Sequence, residues 1–193
     1  MIIGVVGQKF SGKDTFADYL CKHYDFEKKA FASSLKKVCM AAFHLTEEQL
    51  NLPEQKEKIH EYWGKSPREL MQMVGTELFR NHFDKEIWTK NMFLDLKGSQ
   101  GKKIVVSDVR FENEMQFLID YGVKYGIPVF MIRIERDLQR QEDCHLSEKH
   151  SWANEKMDTI SNMSTLQEFY EKIDAFMQKA FEENLNSDET KQK

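Results

Sequence analysis

The feature that most constrains this chain is its N-terminal run Ile2-Ile3-Gly4-Val5-Val6, which passes directly into Gly7 and then into a helical pattern from Lys13 to about Tyr24. A continuous apolar run reads as a strand covered on both faces, as strands of parallel sheets are. The run has no basic leader, ends at polar Gln8 and Lys9, and is far shorter than a signal or membrane segment, so a buried strand is expected. The order is strand, glycine loop, helix.

The rest of the chain repeats that alternation. A weaker strand is expected near Phe26 to Ala32, then helix from Ser33 to Phe43 and polar helix or loop to about Gly64. Ser66-Pro67-Arg68-Glu69 predicts a helix start, with a capping serine, proline at the first helical position and Glu69 returning the cap's hydrogen bond. Within that helix Leu70, Met73, Val74 and Leu78 are expected to face the core, while Arg68, Gln72, Thr76 and Arg80 step by four along another face. A further helix is expected from Asp84. Lys103 to Val109 reads as a strand with Asp108 near its carboxyl end, Met115, Leu118 and Ile119 as a helix closing at Gly122, and Ile127 to Ile134 as another strand. Arg136 to Trp152 is charged and without clear periodicity, which suggests a lid. Leu166, Phe169, Tyr170, Ile173, Met177 and Phe181 make an amphipathic helix with a cap expected near Ser164. Open parallel sheets collect ligands at the strand carboxyl ends.

With 28 Lys and Arg against 32 Asp and Glu, the formal charge of -4 opposes binding to nucleic acid or an anionic membrane. Phosphate binding must therefore rest on local cations. The three cysteines, Cys21, Cys39 and Cys144, show no paired or zinc-like pattern and read as reduced thiols of a cytosolic protein. No internal period recurs, and one domain over residues 1–183 is expected, followed by a polar, frayed tail over 184–193.

Gly7-Gln8-Lys9-Phe10-Ser11-Gly12-Lys13-Asp14-Thr15 has the glycine, four-residue gap, Gly-Lys spacing of a phosphate-binding loop, with Asp14 where Ser or Thr is usual. Loop amides and a helix N-terminus aim positive dipoles at one point, and Lys13 adds a compact charge. Thr15 is the better Mg²⁺ candidate. Asp14 reads either as an acid approaching Mg²⁺ or an acceptor, or as a first-turn acid favoured by the helix dipole. Asp108 could hold the metal through water, or be a turn residue. Arg68, Arg80 and Arg110 offer bidentate donors to a phosphorylated acceptor, and each alone also reads as a surface ion-pair partner. Arg136 and Arg140 share a spacing that suits a closing lid or a solvated loop. His145 and His150 are too few for a zinc site, and Trp63, Trp88 and Trp152 read as packing residues or as a frame for a base.

Taken together, these segments resemble the deoxynucleoside monophosphate kinases of bacteriophages over most of residues 1–165, with animal-type phosphomevalonate kinases as more distant relatives. Gly12-Lys13-Asp14-Thr15 is similar to that group's variant loop, and Phe31-Ala32-Ser33-Ser34-Leu35-Lys36 to its Phe-Ala-Asp-Pro-Leu-Lys segment. Pro67-Arg68-Glu69, Gln72, Gly75-Thr76-Glu77, Arg80, Trp88, Asp108-Val109-Arg110-Phe111 and Glu114 continue the match, and His145 with Ser147-Glu148 looks like its lid element. The resemblance implies acceptor contacts from Lys36, Arg68, Gln72, Thr76, Arg80, Trp88, Asp108, Arg110 and Glu148, and catalytic parts for Lys13, Asp14, Arg110, Arg136 and Arg140. Ser33-Ser34 departs from the family's Asp-Pro pair.

The expectation is an α/β P-loop kinase with a central, mainly parallel sheet flanked by helices, an acceptor-binding helical region over about 33–100 and a lid over about 135–152. It would use ATP and Mg²⁺ to phosphorylate a (deoxy)nucleoside monophosphate in the cytoplasm, a host's if the source is viral, and a homodimer is one possible assembly. The competing readings are a phosphomevalonate-type acceptor and a P-loop ATPase or nucleotide switch. No Asn-Lys-x-Asp guanine-reading motif is present.

Overall fold

The computed structural model describes residues 1–137 and 157–190, with side chains through residue 185. The described residues divide into two compact units: Met1–Ala30 with the chain from Gln100 onward, and Phe31–Ser99.

The first unit is built on a sheet of five described strands: β1 (Ile2–Val6), β2 (Phe26–Lys29), β3 (Lys103–Val106), β4 (Val129–Glu135) and β5 (Asp158–Ser161). Their order is β2-β3-β1-β4-β5 and every pairing is parallel, with Ile3 opposite both Val105 and Phe130. β1 sits in the middle, and its five residues are all buried, as its unbroken apolar run predicts. Three helices belong to this unit: α1 (Lys13–Tyr24), α7 (Glu112–Tyr125) and α8 (Leu166–Thr190). One core cluster joins Ile3, Val5, Ile132 and Ile134 of the sheet to Phe16 and Leu20 of α1 and to Phe169, Ile173 and Met177 of α8. Full burial of each large side chain there is worth about 1.5–3 kcal/mol.

Several boundaries move. β2 stops at Lys29 and the last helix is capped by Thr165, whose hydroxyl accepts from the Glu168 amide at 3.3 Å, one residue past the expected Ser164. That helix continues past residue 184 to Thr190. β3 ends at Val106, yet the amides of Ser107 and Val109 still donate to Lys29 and Val5 carbonyls at 3.2 Å, so the chain stays laced to both neighbouring strands.

The second unit is helical: α2 (Ala32–Phe43), α3 (Glu47–Asn51), α4 (Pro53–Lys56), α5 (Pro67–Gln72) and α6 (Ile87–Lys97). α5 starts as its sequence predicts, with Ser66 Oγ accepting from the Glu69 amide and the Glu69 carboxylate accepting from the Ser66 amide at 2.7 Å. Beyond Gln72 the helix changes type. Met73–Phe83 winds as a π-helix, closed by the Asp84 amide donating to the Phe79 carbonyl, five residues back. The wider turn shifts the helix phase, so Val74, Gly75 and Thr76 are buried while Met73 and Leu78 are exposed. The stripe expected from Arg68 through Thr76 to Arg80 therefore does not stay on one polar face. Trp88 is buried and its indole N–H donates to the Gly75 carbonyl at 3.0 Å. A Cβ on Gly75 would stand 2.6 Å from Leu35 Cδ2, so any larger residue there would have to displace the end of the Leu35 side chain. α6 begins at Ile87 and not at Asp84, whose carboxylate instead accepts from the Glu86 amide at 2.9 Å and shapes the turn before it.

Candidate functional site

The loop from Gly7 to Gly12 connects the buried end of β1 to the N-terminus of α1, at the carboxyl edge of the sheet. Its backbone is held in conformations that side chains disfavour. Gly12 has φ 106° and Phe10 has φ 63°, a left-handed value uncommon for a bulky residue. Phe10 is half-exposed, with the Lys9 ammonium 4.9 Å from its ring centroid. A Cβ at Gly7 would lie 2.5 Å from the Ile134 carbonyl oxygen and 2.7 Å from Ser11 Oγ, so only glycine admits that packing.

Within this loop the Lys13 ammonium donates to the carbonyls of Gly7 at 2.7 Å and Gln8 at 2.6 Å, which ties it across the mouth of the turn. Ser11 is 1% exposed and its hydroxyl has no hydrogen-bond partner among the described residues. A buried hydroxyl without a partner costs about 1–3 kcal/mol. An anion bound in the loop would offer it an acceptor. The orphaned hydroxyl, the glycine-only packing and the helix N-terminus together fit the phosphates of a nucleotide.

Two residues that sequence reasoning missed shape the loop. Asn162, just after β5, donates its amide N–H to the Ser11 carbonyl at 2.9 Å, while its backbone N–H donates to the Glu135 carbonyl at 2.7 Å. A Cβ on Gly12 would stand 2.4 Å from that same amide nitrogen. Lys28 on β2 bridges Asp14 and Asp18 of α1, at 2.9 Å to each. Burial alone would lower the Lys28 ammonium, but its hydrogen bonds to Asp14 and Asp18 outweigh it and hold it above its ordinary value. Neither residue belongs to the loop motif, and no local pattern marks them.

Asp108 and Arg110 follow β3 at the same edge, partly buried, on the segment that Val109 fastens to Val5. The Glu114 carboxylate, itself buried, accepts from the amides of Arg110 at 2.8 Å and Phe111 at 3.1 Å, which fixes the turn into α7. Arg136 lies just beyond β4 and is exposed. Thr15 is partly buried in the first turn of α1. No group of three or more His, Cys, Asp or Glu side chains stands together among the described residues. Mg²⁺ commonly takes one or two protein ligands and completes its shell with phosphates and water, which Thr15 and Asp108 suit by chemistry.

The family model described as deoxynucleotide monophosphate kinase matches residues 1–65 and 51–173. The chain belongs to that family. A putative deoxynucleotide monophosphate kinase of Acanthamoeba polyphaga mimivirus is 36% identical over 187 residues, covering 90% of this chain and 94% of that protein. The deoxynucleotide monophosphate kinase of Enterobacteria phage T4 is 32% identical over 118 residues, 60% of this chain and 46% of that protein, and the one of Escherichia phage RB69 is 30% identical over 62% and 47%. The resemblance read from the motifs is thus matched along the chain.

Six further candidate residues of this kinase, Lys36, Arg68, Gln72, Thr76, Arg80 and Trp88, lie in its helical unit. Arg68 donates from Nε to the Glu57 carboxylate at 2.7 Å, with its side chain 17% exposed. Lys36 donates to the Asn51 side-chain oxygen at 2.7 Å. Arg80 reaches the Lys85 carbonyl at 3.3 Å. Gln72 is partly buried at the end of α5, Thr76 is buried in the π segment, and Trp88 is buried beneath it. Arg140, His145, Ser147, Glu148, His150 and Trp152 fall outside the described residues, as does most of the segment read as a lid. No helix among the described residues is long and apolar enough to cross a membrane.

Proposed function

We propose that this kinase transfers the γ-phosphoryl group of ATP to a deoxynucleoside monophosphate, giving the diphosphate and ADP, in the cytoplasm, that of a host where the source is viral. The observation that carries the reading is the match of the deoxynucleotide monophosphate kinase model to residues 1–65 and 51–173, which include the glycine loop with its Gly-Lys spacing. The loop of residues 7–15 takes the ATP phosphates, with Lys13 turning from the Gly7 and Gln8 carbonyls to the β and γ oxygens. Mg²⁺, when bound, neutralises phosphate charge; Thr15 and Asp108 are the residues that would hold it.

Arg68, Arg80 and Arg110 are the acceptor-phosphate contacts in this reading, through charge-assisted hydrogen bonds that fix the acceptor in line. The acceptor supplies its own nucleophile, a phosphate oxygen already largely ionised at neutral pH, so no strong general base is needed. Asp14 then orients instead of deprotonating. Lys36, Gln72, Thr76 and Trp88 support acceptor binding, Arg136 and Arg140 stabilise charge on the transferring group, and Glu148 contacts the acceptor.

The test is ADP release with Mg·ATP and a panel of dTMP, dGMP, dCMP, dAMP, their ribose counterparts and phosphomevalonate. Turnover of one or more deoxynucleotides is expected. Phosphomevalonate turnover with every nucleotide inert would overturn the acceptor class, and silence across the panel would return the protein to the ATPase or switch reading.

A further inference from the structure

Asp14 poses an electrostatic problem. A carboxylate in the first turn of α1 favours the helix dipole, yet it stands next to the loop that receives phosphates, and like charges a few ångströms apart disfavour one another. The fold answers it with a residue from another element. Lys28 is the third residue of β2, paired with Val105 of β3. Strand alternation puts Phe26 and Lys28 on one face, and Phe26 packs in the core cluster with Phe16, Ala17 and Leu20 of α1. The Lys28 stem is thereby directed under α1.

From there its ammonium reaches Asp14 Oδ1 and Asp18 Oδ1, each at 2.9 Å. The two acids are one helical turn apart, so a single cation spans both. Their exposures differ in a way that decides which partner sets the geometry: the Lys28 side chain is 32% exposed, against 84% for Asp14 and 68% for Asp18. The lysine is the anchored member, and the carboxylates are drawn to it.

We propose that Lys28 is a positioning residue of the phosphate loop, which draws the Asp14 carboxylate toward β2 and offsets its charge so that nucleotide phosphates can bind beside an acid. The inference rests on residues 7–15 being a nucleotide phosphate loop. Lys28 acts through Asp14, not on the nucleotide. A lysine serving only to tie α1 to β2 through Asp14 and Asp18 would shift the melting temperature and leave ADP affinity unchanged, so the two roles separate when a double-mutant cycle is read by both measurements.

The experiment measures ADP binding by titration calorimetry for the wild type, Lys28→Met, Asp14→Asn and the double variant, with thermal melts of each. Lys28→Met is expected to weaken ADP binding by about three- to tenfold, because a cation 2.9 Å from the Asp14 carboxylate is lost. In the Asp14→Asn background the same substitution should change affinity by less than about twofold, since nothing is left to offset. Lys28→Arg should bind as the wild type does. Equal loss in both backgrounds, or no loss in either, overturns the proposal. Where Lys28→Met does not fold, Lys28→Gln, which removes the charge but keeps a hydrogen-bond donor, is judged by the same criteria. Lys13→Ala serves as the reference: wild-type ADP binding by that variant would remove the phosphate-loop reading, a failure distinct from a missing Lys28–Asp14 coupling.

Discussion

Replacing Asn162 by alanine removes one side-chain amide and leaves its backbone bond to the Glu135 carbonyl intact. The lost bond is the one from the amide to the Ser11 carbonyl at 2.9 Å. Ser11 is 1% exposed, so water does not readily replace the donor, and an orphaned buried acceptor costs about 1–3 kcal/mol. Taking roughly 1.5 kcal/mol, a chain of this size should lose about 3–6 °C in Tm. Any part of the cost absorbed by the loop instead of the fold appears in nucleotide binding, where 1.4 kcal/mol is about tenfold in Kd. The assay is thermal unfolding followed by circular dichroism, with and without saturating ADP, alongside direct ADP titration. Asn162→Asp should be worse than alanine, because it turns an acceptor toward an acceptor. If Asn162→Ala left both Tm and ADP affinity unchanged, the pin between β5 and the loop would carry no energy and the reasoning would fail.

Lys13→Ala should lower phosphoryl transfer by orders of magnitude with an unchanged circular-dichroism spectrum, and wild-type turnover would refute its role on the phosphates. Arg68→Ala and Arg110→Ala should chiefly raise the Michaelis constant for the acceptor, by about ten- to a hundredfold for a lost charge-assisted bond of roughly 1.5–3 kcal/mol. A collapse in ATP affinity with normal acceptor saturation would reverse those roles. Glu27 is hydrogen-bonded by Lys102 at 2.6 Å and Lys29 at 2.5 Å, which lower its carboxyl from 4.5 to about 2. Its folded value is depressed, so its stabilisation is present above about pH 4.5 and is lost as pH falls toward 2. The group is 31% exposed, and solvent screening limits this to about 1 kcal/mol or less. Glu27→Gln should flatten the Tm–pH profile over that window, and an unchanged acid slope would refute it.

Local chemistry made much of this protein legible in the sequence. The apolar run of β1, the Gly-Lys spacing and the Ser66 capping box are short-range patterns whose physics is complete within a few residues, and each element forms where it is read. Boundaries slipped where neighbours decide them, as at the end of β3, where Ser107 and Val109 keep bonding to adjacent strands.

The sequence by itself thus determined the strand-loop-helix at the N-terminus, the alternation that makes a parallel sheet, and the lysine that heads α1 after the glycine loop. Only the tertiary structure decided the strand order β2-β3-β1-β4-β5, which depends on non-local pairings. It decided that Met73–Phe83 winds as a π-helix, burying Thr76 and turning Leu78 outward, because packing of Gly75 on Leu35 and the Trp88 bond override a 3.6-residue period. It also decided which side chains hold the loop: Asn162 lies 151 residues from Ser11 and Lys28 lies 14 from Asp14, separations that no residue-level pattern spans. A loop's sequence specifies the conformations it can adopt, but the conformation it keeps is set by what the rest of the fold brings against it.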